Sequence, residues 1–490
     1  MTPSEHLNGY TRDERGSMLV FWAFSLVAFL GLMALIFDVG RLGTTQSELQ
    51  SFADSVALAS AAELDGRTDA IDRAQNAARL LITDSQTFTT RSKTLTGADV
   101  TLTFYRPNAE GRFLRTPALR TTQPRAARFV DVAVVDSHVP LGFGAIFRDA
   151  DINTRASARA TGTFELEACN VAPVAMCAPT IGLDADAAIG STLQLDASVN
   201  VNNLLPGNIS VVNNLTDALD GLSICAGLLG DALNACLIAS RTPETACTGR
   251  GGLEISVGLD GDGVMQAVNT RFGEAVGAAS GLVGDAFAAA PSIFAGRLDG
   301  AGLCQPDAGG PVALPSDDCF DGGGCTVQGN GDWETGRLAY INAHFDGTDP
   351  FPEARTRFDF YRAELAASGE ISTGSGGGDG LIGGLLGTVT DTVNQLTGRL
   401  CAPLSGLGAG AALDPERRLM VIAAIDCLNV DVQAGVSAPV IQYFEAFALG
   451  PAADGKLNVE VTACLGSGCR TGDGRGALDT VVRDVVRLVE

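Results

Sequence analysis

The sequence predicts an α+β protein hung from one membrane-spanning helix. Three observations predict it. Met18 to Phe37 contains no charged residue. After it, a helical apolar stripe gives way to alternating strand patterns. All twelve cysteines lie after residue 168.

The apolar run reads MLVFWAFSLVAFLGLMALIF. At about 1.5 Å per residue, a helix of that length covers the roughly 30 Å hydrocarbon core of a bilayer. Ser25 is its one markedly polar residue, and a helical Ser can bond back to its own backbone. A cleaved signal peptide has a shorter apolar core and a small-x-small site just after it. Here Asp38-Val39-Gly40-Arg41 follows, and the Ala-rich stretch 57–62 lies too far downstream. A buried core helix is seldom apolar on every face for this length. The expectation is an uncleaved anchor at 18–37, with residues 1–17 as a polar cytoplasmic tail.

The helical pattern continues past the apolar run. Leu42, Leu49 and Val56 recur every seven residues, with Phe52 and Ala59 between them. That stripe predicts one helix running to about Leu64, where Asp65-Gly66 breaks it. A second helix is predicted from Ala70 to Ile82, with Ile71, Ala74, Ala78 and Leu81 on one face. Strand patterns follow. Val100, Leu102 and Phe104 alternate with threonine, Phe129 to Val135 alternates likewise, and Ala156 to Leu166 does so with small residues. Val139 to Phe147 reads as a crossover helix or turn. Residues 38–167 therefore predict a helix packed on an antiparallel sheet.

Residues 168–490 predict a loop-rich, cysteine-containing α+β region. Segment 217–239 reads as a helix with Cys225 and Cys236 on one face, about three turns apart. On a straight helix they are too distant to bond each other, so each is expected to bond elsewhere. Residues 368–387 form a Gly-rich stretch expected to be a flexible surface loop. Leu419 to Ile425 and Leu457 to Thr462 predict strands, while Pro439 to Leu449 leaves helix and strand both open.

Asp and Glu number 57 against 33 Lys and Arg, giving a net charge of −24. Such an acidic chain repels phosphate backbones, which excludes nucleic-acid binding. An even cysteine count, with none in the tail or apolar helix, fits an oxidising compartment. Zinc sites place cysteines closer together and usually add histidine. The nearest pairs here have four and five residues between them, and histidine is limited to His6, His138 and His344. Disulfides are expected, favouring Cys169–Cys177, Cys319–Cys325 and Cys464–Cys469, then Cys401–Cys427. Cys225, Cys236, Cys247 and Cys304 are expected to pair among themselves, in no chosen pattern. Cysteines outside the cytoplasm orient the helix with its amino end inside, in line with Arg12 and Arg15 before it.

Few residues offer chemistry. Three histidines leave few general bases, and no GxSxG, HExxH or phosphate-binding loop is present. Asp196-Ala-Ser198-Val-Asn200 nearly matches the metal motif of von Willebrand A-type domains, with Asn200 replacing its second Ser. Asp260-Gly-Asp262-Gly and Asp346-Gly-Thr-Asp349 offer hard oxygen ligands but lack EF-hand spacing, so plain turns are favoured. The expectation is no catalytic group, no metal and no cofactor.

Arg15-Gly16, the apolar run, Asp38-Val39-Gly40-Arg41 and Ala53-Asp54-x-x-Ala57-Leu58-Ala59 resemble the amino end of TadG-like proteins of the Flp/Tad pilus assembly system. Gly16, Asp38, Gly40, Arg41 and Asp54 carry that motif. Cys169-x-Val171-Ala-Pro173-x-x-x-Cys177, Arg417-Arg418 to Cys427, and Val459-Glu460-Val461 resemble later parts of the same family. The resemblance implies a protein anchored in the inner membrane, with its bulk in the periplasm. It implies binding to other pilus-assembly proteins rather than enzymatic work, with self-association left open. Pilins need Glu at the fifth position after the cleaved Gly, and Phe21 stands there after Gly16. That departure favours an uncut anchor over a fibre subunit. A surface adhesin and a periplasmic hydrolase are the competing classes.

Overall fold

Arg15–Ala61 form one unbroken 47-residue helix, α1. The computed structural model describes residues 15–82, 94–108, 112–140, 155–180, 183–197, 204–212, 224–249, 253–255, 261–291, 294–298, 304–306, 312–345, 347–367, 400–401, 415–428, 437–438, 440–466, 469 and 482–489. Residues 1–14 of the tail predicted over 1–17, residues 141–147 of the crossover predicted over 139–147, and the Gly-rich stretch 368–387 lie outside these residues, while 15–17 already belong to α1. The first half of α1 is apolar on all sides, and its large side chains from Met18 through Phe37 are exposed, with Ala34 alone buried among them. Its second half buries one face, through Thr45, Leu49, Phe52, Ala53, Val56, Ala57 and Ala61. Thr44 and Thr45 bond back to the carbonyls of Gly40 and Arg41, which keeps both hydroxyls satisfied inside the helix.

The chain divides into two compact units. The first comprises Met1–Pro107, Phe113–Phe164 and Val486–Glu490. In it α1 turns at Gly66 (φ 88°) into α2, Ala70–Leu81. Ala70, Ile71, Ala74 and Ala78 of α2 are buried, but Leu81, expected on that face, is 41% exposed. It is the last residue of α2, where the helix ends at Ile82. Three strands follow: β1 Val100–Tyr105, β2 Phe129–His138 and β3 Arg155–Ala168. They pair antiparallel in that order, with Leu102 opposite Val132 and Val132 opposite Ala160. Their inward residues and the buried face of α1 make one core: Leu49, Phe52 and Val56 against Val130, Val132, Ala158 and Ala160.

The second unit comprises Asn108–Arg112 and Glu165–Val485. Its strands include β4 Val174–Cys177, β5 Thr192–Asp196 and β6 Ile209–Val211. After the helix α3, Gly230–Ala239, come short β7 Thr248–Gly249 and β8 Leu253–Glu254, then α4 Gly261–Asn269. Further along are β9 Phe294–Leu298, β10 Cys304–Pro306, α5 Glu334–His344, α6 Arg357–Ala367 and β11 Leu400–Cys401. The chain closes with β12 Leu419–Ile425, β13 Ser437–Ala438, β14 Val440–Ala448, β15 Lys456–Leu465 and β16 Val482–Val489. β16 is a neighbour of β3, completing the order β1-β2-β3-β16.

The centre is a six-stranded sheet, ordered β5-β15-β14-β12-β4-β6. β12 is parallel to β4 and antiparallel to β14. Every residue of β12 is buried, which is why its sequence, LMVIAAI, is a continuous apolar run. One face packs Met420, Ile422 and Phe444 on Ile238 of α3 and Val264 and Val268 of α4. The other carries Val421, Ala423, Tyr443 and Leu465. A third cluster gathers Trp333, Tyr340, Phe345 and Phe351 around Phe360, with Tyr361 packed on Phe447. Within Pro439 to Leu449, open from sequence, Val440–Ala448 is a strand.

The bonds formed correct several of the cysteine expectations. The helix predicted over 217–239 covers only Gly230–Ala239 among the described residues. Gly227 and Gly230, with φ of 83° and 58°, turn the chain back before it, so Cys225 bonds Cys236 after all, Cα to Cα 5.9 Å. Cys169 bonds Cys247, not Cys177. Cys177 bonds Cys427, so the Cys401–Cys427 pairing also fails. Strand neighbours decide both: β7 pairs with the end of β3, next to Cys169, while Cys177 lies opposite Ile425 of β12. Cys247 therefore does not pair within the group of four first set aside. Cys319 bonds Cys325 and Cys464 bonds Cys469, over sequence separations of 6 and 5. Cys304 and Cys401 lie on β10 and β11, on either side of β9.

Candidate functional site

The site with most built-in geometry is the joint between α1 and β3 in the first unit. Gln46 Nε2 donates to the Ser157 carbonyl at 2.6 Å, and Gln50 Nε2 to the Arg159 carbonyl at 3.1 Å. Two glutamines four apart advance about 6 Å along a helix, and two carbonyls two apart about 6.6 Å along a strand. The two ladders match, so helix and strand run side by side in register. Farther from the apolar end, Gly162 faces Ala57 and Ala61, where a side chain at 162 would collide with α1. Ala53, Ala57 and Ala61 are all fully buried at four-residue spacing and give the helix a flat, small face there.

The turn beyond α1 is pinned by charge. Buried Asp65 forms ion pairs with Arg73 at 2.6 Å and with Arg67 at 3.5 Å. On the sheet, buried Asp131 accepts Arg115 at 3.0 Å and the Thr161 hydroxyl at 3.2 Å, with Arg159 at 3.4 Å.

Residues 16–63 match the family model described as putative Flp pilus-assembly TadE/G-like. The chain carries a TadE/G-like segment at its amino end. No curated protein and no solved structure matches the chain. The TadE/G-like segment is α1 itself and the start of its closing turn, so the match falls on the apolar half of α1 and on the helix face docked to β3. Gly16 lies in its first turn. Asp38 is buried at the end of the apolar run, 6% exposed, and Arg41 is half-buried one turn on. Gly40 has open space around it. Asp54 accepts a hydrogen bond from Gln50 at 2.8 Å, which orients that amide toward β3. Asp38, Gly40, Arg41 and Asp54 therefore flank the joint along α1, Gly16 lies at the far end of the apolar run, and Gln46, Gln50 and Gly162 make the contact. Two signals in the sequence pointed there: glutamines at helical spacing, and a lone Gly inside the strand pattern RASARATGTF.

The second unit buries several charged groups. Arg357 is fully buried between Asp317, at 2.5 Å, and Glu460, at 3.2 Å. Its guanidinium lies 4.8 Å from the Trp333 ring centroid and also donates to the carbonyls of Pro315 and Gly190. Asp317 accepts from the Thr192 hydroxyl and the Gly331 amide. Burial pushes Glu460 up to about 7, while Arg357 and two backbone amides pull the other way. A second nest holds Arg418 between the Phe272 and Tyr361 rings, with Glu364 accepting the Tyr340 hydroxyl at 2.8 Å. Burial pushes Glu364 up to about 8. Arg271 donates to the carbonyls of Ile238, Arg417 and Leu419. Several of these contacts join segments more than a hundred residues apart, as Arg357 to Glu460 and Arg271 to Arg417 do.

The remaining sequence candidates fall apart in space. Asp196 pairs in register with Lys456 at the end of β5, and Ser198 and Asn200 lie outside the described residues. So do Asp260 and Asp346. Asp262 is exposed on α4, and Asp349 is bound by Arg337 at 2.9 Å. His138 ends β2, and His344 stacks on Tyr340 with ring centroids 4.5 Å apart. Among the described residues, two groups have metal-like proximity: Glu167 with Cys169 and Cys247, and Asp186 with Cys464 and Cys469. In both the sulfurs are tied in disulfides and offer no thiolate.

Proposed function

We propose that this chain is an inner-membrane-anchored, periplasmic assembly protein of a Flp/Tad-type pilus, acting by binding other assembly proteins and not by catalysis. The TadE/G-like segment supports a part in Flp/Tad pilus assembly. The observation that carries the reading is the continuity of α1. One helix is a bilayer-length apolar rod at one end and a sheet-bound core element at the other. A tether of this kind transmits position and force, because no flexible linker separates the anchor from the folded part. The disulfides fit an oxidising compartment and strengthen a Gly-rich chain that has modest regular structure. The acidic charge keeps the exported part off anionic surfaces and soluble.

The test is fractionation together with complementation of a null strain. The native chain should restore sheared pili and remain with the inner membrane. A version whose residues 18–37 are replaced by a cleavable leader should be exported yet fail to restore them. Recovery of the native chain in the sheared pilus fraction would move the reading to a pilus-borne adhesin.

A further inference from the structure

We infer that Cys169–Cys247 is an exchange site, the disulfide through which this chain reacts with external dithiols of the oxidoreductase type. Among the described cysteines, Cys247 alone is exposed, while Cys177, Cys225 and Cys236 are fully buried. Arg483 Nη2 lies 3.3 Å from Cys247 Sγ and 3.2 Å from Glu167 Oε2. A disulfide sulfur is a weak acceptor, so that guanidinium gains little from it in the bonded state. A thiolate in the same place accepts a charge-assisted bond, which is far stronger. Arg483 thus favours the opened state, and exchange is faster when the departing thiol is more acidic. Glu167 opposes this by its own charge, and its ion pair with Arg483 offsets part of that opposition.

The step balances as follows. One thiolate of the external dithiol attacks Cys169 Sγ, which is half-buried but accessible. The Cys169–Cys247 bond breaks, and Cys247 departs with the electron pair as a thiolate held by Arg483. The second thiol of the dithiol loses its proton and displaces Cys169 from the mixed disulfide. The dithiol ends as an internal disulfide, two electrons poorer. The chain ends with two cysteines, which share the released protons with solvent. Because β7 pairs with β3 at two positions only, this bond is the covalent tie between those strands.

The experiment uses the full chain in detergent micelles, dithiothreitol as the dithiol, timed iodoacetamide quenching and non-reducing peptide mapping. Cys169 and Cys247 should label at least about tenfold sooner than Cys177, Cys225 and Cys236. Arg483→Gln should slow that opening about three- to tenfold and leave the other bonds unchanged, whereas Glu167→Gln should speed it. Where Arg483→Gln does not fold, salt replaces it: Arg483 is 61% exposed, so screening should slow the opening of the native bond. Earlier labelling of any other pair overturns the assignment. So does a rate unmoved by Arg483→Gln or, in the native chain, by salt.

Discussion

Gly162 of β3 is in backbone contact with Ala57 of α1: a Cβ added at 162 would overlap the Ala57 carbonyl and come within 2.9 Å of the Ala61 Cβ. α1 and the sheet meet there with no side chain between them. Gly162→Ala should therefore destabilise the first unit by about 1–3 kcal/mol through overpacking. Gly43→Ala is the control, since nothing lies within 4 Å of it. It should be neutral or stabilising by about 0.5–1 kcal/mol, as expected for Gly to Ala inside a helix. Urea titration of the detergent-purified chain reads both.

Arg357 holds two buried carboxylates at once. Arg357→Met leaves Asp317 and Glu460 without their cation and should cost about 3–5 kcal/mol. Arg357→Lys should recover little, because a single ammonium cannot reproduce the forked contacts to Asp317, Glu460 and two carbonyls. The urea midpoint of each variant decides.

Glu364 makes stability pH-dependent with a definite sign. Its folded value, about 8, lies above the ordinary 4.5 because burial disfavours its charge. The folded chain therefore holds the proton more tightly than the unfolded chain. The resulting stabilisation is full below about 4.5 and is lost as pH rises to about 8. Glu460, raised to about 7, acts in the same direction. Over this window Glu364→Gln should lose stability with pH less steeply than the native chain. Equal slopes in the two chains contradict the prediction.

The disulfides should rank by loop size. Cys177–Cys427 spans 250 residues and Cys319–Cys325 spans 6. Chain entropy assigns them about 5 and about 2 kcal/mol. Replacing both cysteines of each pair by Ala and comparing thermal midpoints tests the order.

What was legible in the sequence was local. The apolar run, the Leu42–Leu49–Val56 stripe and the alternation of β1, β2 and β3 each declare themselves within a short window, because helix and strand periodicities are local properties. β12 and β15 showed for the same reason. Sheet order did not. β5 lies beside β15 across more than 250 residues, and no periodicity encodes that neighbour. The Cys169–Cys247 and Cys177–Cys427 bonds were misassigned for that cause, since each follows from a non-local strand pairing. Arg357 was hidden differently: within Thr356-Arg-Phe-Asp-Phe-Tyr361 it reads as a surface charge among aromatics, and its carboxylate partners lie 40 and 103 residues away. The joint was half legible, its motif residues visible and its contact glycine visible only as an interruption of the strand.

In the proposed topology α1 crosses the membrane once and carries everything after it to the far side. Alkaline phosphatase fused after Ala70, compared with a fluorescent reporter that matures only in the cytoplasm fused at the same place, tests it most directly. The account predicts an active phosphatase and a dark fluorescent fusion. A dark phosphatase with a bright fluorescent fusion would contradict it.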